Sequence, residues 1–407
     1  MEIKFSMASY RGGDIYVTSV RPLASILYGK LAMTDPNLHS EPNEKFDEEY
    51  YLTWNRDVAE AVKAGHWRSG FDHYLTHGRA EGRVPCRPEP ALEPRFHVES
   101  RNLRNDEKRE ALLRARSILI RRTAAMGDVL MTTPVLARAR HLVGPGVRID
   151  TESSLHTVFA GNPHIDRALR TREPIPEKYE LFINLDNAYE KDRSLHAIDA
   201  YMLEAFGDTD WYAKDIVLIK RPLPVDVTVD WRRAIALHPG QTSRNRTIPA
   251  HIWEELIERI EAANLVPVIF GATREVSLPK KSRAIDLTSK LTIQQTATAI
   301  QSSLCLVSAD TGLTHVAGST NTPMVTVYTA IPPRCRMPWR YGQMGWRVTS
   351  LVPKLDCVGC YNVDGCNRQD FACVEGEEAV SAESIFNAVM ELIRLPDHTG
   401  LLEPYMA

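Results

Sequence analysis

Three segments of this chain place glycine, hydroxyl residues and charge where an apolar run gives way to a helical pattern. In Ser308 to Pro323, SADTGLTHVAGSTNTP, the triplet Asp310-Thr311-Gly312 follows the apolar Leu304–Val307 and precedes a helix opening at Leu313. Gly312 permits a tight turn, Asp310 or Thr311 can cap, and N–H groups at a helix start attract phosphate. A second such turn, Thr123 to Asp128 (TAAMGD), lies between the apolar Ser117–Ile120 and a helix beginning at Val129. Gly127 gives it freedom, and Asp128 reaches the helix start with its carboxylate toward the crevice beyond the strand ends. The third segment opens at His238-Pro239-Gly240 and carries Thr242, Ser243, Arg244 and Arg246, hydroxyls and guanidinium groups suited to a pyrophosphate. Gly271 to Glu275 (GATRE) follows another strand, and Glu275 could reach a ribose. Each segment alone could be an ordinary strand-to-helix turn. Together they describe a nucleotide-diphosphate site, with Asp128 facing it from another part of the fold.

The elements that must position these residues alternate. Strands are predicted at 117–122, 147–151 and 180–185, with helices at 129–142 and near 154–160. After Pro222 the scheme repeats: strands at Ala234–Leu237, Val266–Phe270, Leu304–Val307 and Met324–Val327, and a helix at Ala250–Ala263. Short apolar runs joined by helical stretches predict an α/β fold of two Rossmann-like parallel-sheet halves facing across a cleft, with ligands beyond the carboxyl ends of the strands. Neither turn has the GxGxxG spacing of a nicotinamide-dependent dehydrogenase.

The 407 residues leave room for more than these halves, and a formal net charge of −3 argues against a general nucleic-acid binder. No apolar window reaches membrane-spanning length, so a soluble, cytoplasmic protein is expected, with peripheral contact at the inner membrane left open. Residues 1–45 have weak periodicity and no assigned role. Residues 46–85 repeat aromatic and aliphatic residues at helical spacing, predicting a small helical module whose aromatics fill its own core or dock a partner. Its pattern, FDEEYYLTWNRDV through HYLTHGRAEGRVP, resembles a short repeat appended to bacterial glycosyltransferases and some secreted repeat proteins. His66, His73 and His77 there read as exposed helix histidines rather than metal ligands. Residues 86–112, rich in proline and charge, read as a linker. A helical tail at 379–407 is expected to cross back onto the first half.

Four of the seven cysteines crowd into one segment within 351–378: Cys357, Cys360, Cys366 and Cys373. The Cys-x2-Cys pair has metal-ligand spacing, and the other two thiolates could complete a tetrahedral zinc or iron site. Disulfides, which a cytoplasmic setting disfavours, and free thiols are the alternatives.

The segments TAAMGDVLMTTPVL, ALHPGQTSRNRTIP, VIFGATRE, SKLTIQQTA and SADTGLTHVAGSTNTPMVTVY resemble, in order, the motifs of the ADP-heptose heptosyltransferases, glycosyltransferases of lipopolysaccharide core assembly with the two-domain GT-B architecture. The resemblance spans residues 115 to 375. It implies an acceptor domain at 113–221 and a nucleotide-sugar domain at 222–350. Asp128 would be the general base on the acceptor hydroxyl, and Arg246 would stand where the family has a lysine beside the diphosphate. Thr311, Gly312 and Leu313 would bind phosphate through backbone amides, Leu291 would pack on the adenine, and Thr242, Ser243, Glu275, Asp310 and His315 would complete the donor site. It further implies an inverting transfer, with no metal required, of heptose from ADP-heptose to the hydroxyl of a lipopolysaccharide core or related glycan. Two alternatives are a protein O-glycosyltransferase of the autotransporter kind, whose members carry similar four-cysteine insertions holding iron, and a catalytically silent nucleotide-binding scaffold. The partners expected are an ADP-sugar donor and a glycan, lipid-linked or protein acceptor, with no nucleic acid. The chain departs from the pattern in a short first half, in Ile248 where the family has an aromatic, and in a polar HAIDAY segment (His196–Tyr201) that faces substrate or simply starts a helix.

Overall fold

The computed structural model describes residues 46–79, 81, 83, 85, 96–171, 178–240, 243–272, 282–362 and 365–395. The segment 1–45, Thr242, Glu275 and the end of the tail lie outside them.

The helical module comprises α1 (Glu48–Trp54), α2 (Arg56–Lys63) and α3 (Gly70–His73), which runs on into a π-helical turn at Tyr74–Gly78. Tyr51, Val58 and Tyr74 form its core, with Phe46, Leu52 and Val62 packed around them. His73 is not the exposed histidine expected: it is buried, within 3.0 Å of the Tyr51 hydroxyl through Nδ1, and edge-on to Trp67. A polar ring is tolerated there because the tyrosine hydroxyl satisfies it.

The first sheet has the order β1-β5-β2-β3-β4, and every pair in it is parallel. It is built from β1 (Phe96–Glu99), β2 (Ser117–Arg121), β3 (Arg148–Ser153), β4 (Arg167–Arg170) and β5 (Tyr179–Asn184). The central β2 buries Ile118, Leu119 and Ile120 in succession: Ile118 and Ile120 pack with the helices in the main core, and Leu119 faces the other way onto Tyr179 and Phe182. Those helices are α4 (Asn105–Arg114), α5 (Met126–Met131), α6 (Thr133–Val143) and α7 (Ala197–Phe206). The helix expected over 129–142 is thus two, with Pro134 in the first turn of α6, where its missing N–H is harmless. The stretch read as linker also joins this half. Phe96 stacks on Phe182 with ring centroids 4.9 Å apart as β1 extends the sheet edge, and Leu112 of α4 is fully buried.

The second sheet runs β13-β10-β9-β6-β7-β8, again parallel. Its elements are β6 (Ala234–His238), α8 (Ala250–Ala262), β7 (Val266–Ile269), β8 (Ile285–Asp286), α9 (Ile293–Ser302), β9 (Cys305–Ala309), α10 (Gly312–Gly318), β10 (Met324–Val327), α11 (Pro333–Arg336), a two-stranded β11 (Trp339–Arg340) and β12 (Gln343–Met344), β13 (Val348–Leu351), α12 (Ala372–Glu375) and α13 (Ala382–Arg394). Both β6 and β9 are buried along their whole length.

The described part of the tail, α13, does not cross back as expected. Ile385, Val389 and Leu392 of α13 join a core with Trp253, Leu256 and Ile260 of α8 and with β9 and β10, all in the second half. The apolar stripe of α13 matches the groove beside α8, and burying such a stripe there contributes roughly 1.5–3 kcal/mol per large side chain.

Candidate functional site

Asp128 sits in the first turn of α5, after Ala125 has adopted a left-handed φ of 65°. The carboxylate is buried, and both its oxygens are engaged. Arg122, just beyond β2, donates to Oδ2 at 2.6 Å, and Arg336 of α11, in the other half, donates to Oδ1 at 3.2 Å. The Tyr189 hydroxyl approaches Oδ2 at 3.4 Å. Arg122 is also 3.6 Å from Asp186 and lies over the rings of Tyr189 and Tyr201, at 5.5 and 5.7 Å. Burial opposes the charge on Arg336, but Asp128 and then Asp310 outweigh it, so its pKa is raised above the ordinary arginine value. Neither arginine was singled out in the sequence. Arg122 could have been, as a cation directly after an apolar strand. Arg336 gave no such signal.

Across from this carboxylate stands the second turn. Asp310 and Thr311 end β9 and lead into α10, and the Asp310 carboxylate lies 3.1 Å from Nη2 of Arg246, which also donates to the Asp310 carbonyl. At that pair, Thr311 Oγ1, His315 Nδ1, Arg246 Nε and, apart from its ion pair with Arg246, Asp310 Oδ2 are buried with no hydrogen-bond partner among the described residues. An unpaired buried polar atom costs about 1–3 kcal/mol, so these four atoms are candidates for hydrogen bonds to a ligand or water. Burial pushes the His315 pKa down to about 4, so its imidazole is neutral near pH 7.

The two turns meet at contact distance. A Cβ on Gly127 would fall 2.6 Å from Cδ2 of His315 and 3.6 Å from the Gly312 Cα, and one on Gly312 would fall 3.1 Å from the Met126 Cβ. Glycine is therefore required at Gly127 for the halves to close. His196 adds a bridge: its Nδ1 accepts from the Ile198 N–H at the start of α7, while Nε2 lies 3.0 Å from the Met337 carbonyl of the other half. The HAIDAY segment is thus a capped helix start, with Asp199 paired to Lys214 at 2.6 Å.

Residues 182–357 match the model of glycosyltransferase family 9 (heptosyltransferase). The matched span takes in Arg246, Asp310–His315 and Arg336, while Asp128 precedes it. Among solved structures, a glycosyltransferase family 9 protein of Veillonella parvula is 17% identical over 68% of this chain and 97% of its own, with a TM-score of 0.51. The ADP-heptose lipopolysaccharide heptosyltransferase II of E. coli is 13% identical over 68% and 98%, with a TM-score of 0.52. The iron-containing dodecameric glycosyltransferase TibC of enterotoxigenic E. coli is 14% identical over 69% and 79%, with a TM-score of 0.55. At such identities what is shared is the fold, which is GT-B. No curated protein matches the sequence.

Within the matched span the other candidate residues fall in different settings. The Ser243 hydroxyl is bonded to the Asn245 side chain at 2.8 Å and ends the loop before a 3-10 turn at Arg244–Arg246. Leu313 is buried in the main core, and Leu291 is half-buried against it.

The cysteine-rich segment grips this same loop. Buried Asn245 donates through Nδ2 to the carbonyls of Asn362 and Gly365, the latter at 2.8 Å, and its own carbonyl accepts from Thr329. Arg244 pairs with Glu375 at 2.7 Å and lies 4.0 Å over the Phe371 ring. Cys357, Cys360, Cys366 and Cys373 all line one cavity of about 50 Å³. Among the described residues, however, no three His, Cys, Asp or Glu side chains are arranged as a ready ligand set. The donors fit a thiophilic metal in kind. Burial and then the other three thiols push the Cys373 pKa up to about 11, whereas N–H groups, that of Phe371 first, draw Cys366 down. A cation in that cavity would relieve the repulsion among thiolates.

Proposed function

We propose that this family 9 glycosyltransferase transfers heptose from ADP-heptose to an acceptor hydroxyl with inversion. The observation that carries the reading is the placement of Asp128 on one half opposite a wall of buried, unpartnered polar atoms around Arg246, Thr311 and His315 on the other. Asp128 takes the proton from the acceptor hydroxyl as its oxygen attacks the anomeric carbon. The bond from that carbon to the diphosphate oxygen breaks on the opposite face, and ADP leaves with the bonding pair. Arg246, the Thr311 hydroxyl and the adjacent backbone N–H groups stabilise the charge that develops there. The residues themselves supply this electrostatic work.

A lipopolysaccharide core or related glycan is the acceptor this reading favours, with the enzyme in the cytoplasm and in peripheral contact with the inner membrane where the acceptor is lipid-linked. The four thiols gathered in one cavity favour a second reading, in which a protein hydroxyl is the acceptor, because the solved structure of TibC is described as iron-containing. Cys357, Cys360, Cys366 and Cys373 would hold a structural zinc or iron that fixes the segment gripping Asn245. Metal analysis of the purified chain should find close to one zinc or iron, lost in a Cys357→Ser/Cys360→Ser variant; metal-free wild-type protein would remove that part of the reading.

Calorimetric titration with ADP, UDP and GDP tests the donor, and radiolabelled ADP-heptose offered with core glycan or protein acceptors tests the transfer. ADP-selective binding with sugar transfer supports the proposal. ADP-selective binding without transfer leaves the catalytically silent nucleotide-binding scaffold, and no binding to any nucleotide removes the proposal.

A further inference from the structure

The two arginines on Asp128 are held differently. Arg122 belongs to the same half as Asp128 and is anchored there a second time by Asp186 and by two tyrosine rings. Arg336 comes from the donor half, on the short helix that follows β10, and reaches across the cleft to Asp128 with its guanidinium 4.0 Å over the Tyr189 ring. Its side chain is 11% exposed, so the charge is largely withdrawn from water and its partner decides where it can rest. A second carboxylate, Asp310, faces it from the nucleotide turn, where Arg246 already neutralises part of the charge.

Entry of a sugar between Asp128 and the nucleotide turn requires the two glycine turns to separate, because a methyl group on Gly127 would already meet the His315 ring at 2.6 Å and one on Gly312 would crowd Met126 at 3.1 Å. On that separation Arg122 stays with Asp128 while Arg336 leaves with the donor half. A diphosphate bound at the nucleotide turn then presents anionic oxygens to a guanidinium that has lost its carboxylate, and arginine suits such oxygens because of its planar fork of donors.

We propose that Arg336 is shared between two anions, binding Asp128 in the empty enzyme and the diphosphate of a bound nucleotide in the loaded one, so that donor binding frees the carboxylate to accept the acceptor's proton. The proposal rests on the functional reading above and names a further leaving-group residue for it. It also makes Asp128 a competitor of the nucleotide for one side chain.

The test is a double-mutant cycle on ADP affinity, measured by calorimetry for the wild type, Asp128→Asn, Arg336→Gln and the double variant, with adenosine as the control lacking phosphate. Asp128→Asn should tighten ADP binding about three- to tenfold, in the range of couplings between contacting residues, and this gain should vanish when Arg336 is Gln. Arg336→Gln alone should weaken ADP more than adenosine, with Arg336→Lys intermediate. The lysine variant also serves as the informative protein where the glutamine variant fails to fold. Equal effects of Asp128→Asn with and without Arg336, or unchanged ADP affinity in Arg336→Gln, would overturn the proposal while leaving the transferase reading intact. Absence of nucleotide binding in the wild type would overturn both.

Discussion

The turns at Thr123–Asp128 and at Asp310–His315 are built alike, each a parallel strand ending in a glycine-containing turn and a short helix, yet they are finished in opposite ways. The first is electrostatically complete: both oxygens of Asp128 carry guanidinium partners and a tyrosine stands beside them. The second pairs Asp310 with Arg246 but leaves Thr311 Oγ1, His315 Nδ1 and Arg246 Nε unsatisfied. In the proposed reading the complete carboxylate takes up a proton once a partner is withdrawn, and the incomplete polar wall binds the nucleotide. One supersecondary unit, used twice, is thus finished differently by a handful of side chains, and the proposed function gives chemistry to the first and recognition to the second.

The largest effect expected from that division is on Asp128. Asp128→Ala should lower kcat by about 100-fold or more, the scale of a lost general base, while ADP stays bound at least as tightly. Unchanged turnover in single-turnover assays would erase the distinction between the turns. Arg246→Ala should do the reverse at the other turn, weakening ADP by about 10- to 100-fold in calorimetry through loss of charge-assisted bonds, with the melting temperature little changed. Equal losses for ADP and adenosine would mean that Arg246 serves the loop rather than the phosphates.

Where the turns meet, Gly127→Ala should lower stability by about 1–3 kcal/mol in urea unfolding, because its methyl group would collide with the His315 ring. A variant as stable as wild type would show that the halves do not close there. A further effect concerns pH. Burial holds the pKa of His315 down to about 4 and that of His196 to about 3, against about 6.5 unfolded. The folded chain therefore binds fewer protons than the unfolded one. Stability should be full above about pH 6.5 and fall as the pH drops toward 4, by up to about 1.4 kcal/mol per pH unit for each such histidine. Urea midpoints at pH 7 and pH 5 check this, and His315→Gln should flatten part of the slope.

The sequence by itself determined the central strands of both sheets and both turns, because a parallel strand buried on two faces must be a continuous apolar run, as in Ile118–Ile120 and Leu304–Val307, and its end must be marked by glycine and polar residues. It also brought Asp128, Arg246 and Asp310 into view as residues at strand ends. The edge strand β1 was hidden because its burial is only partial and its Phe-His-Val-Glu run lies amid prolines and charges. The direction of α13 was undetermined because an apolar stripe records that a face is covered, not which half covers it. Arg336 was invisible for a similar reason: a long-range ion pair across 208 residues leaves no periodicity or spacing in the chain. Only the docking of one half on the other decided that the carboxylate of Asp128 is closed by a guanidinium from the nucleotide side, since that contact depends on how two separately legible units meet.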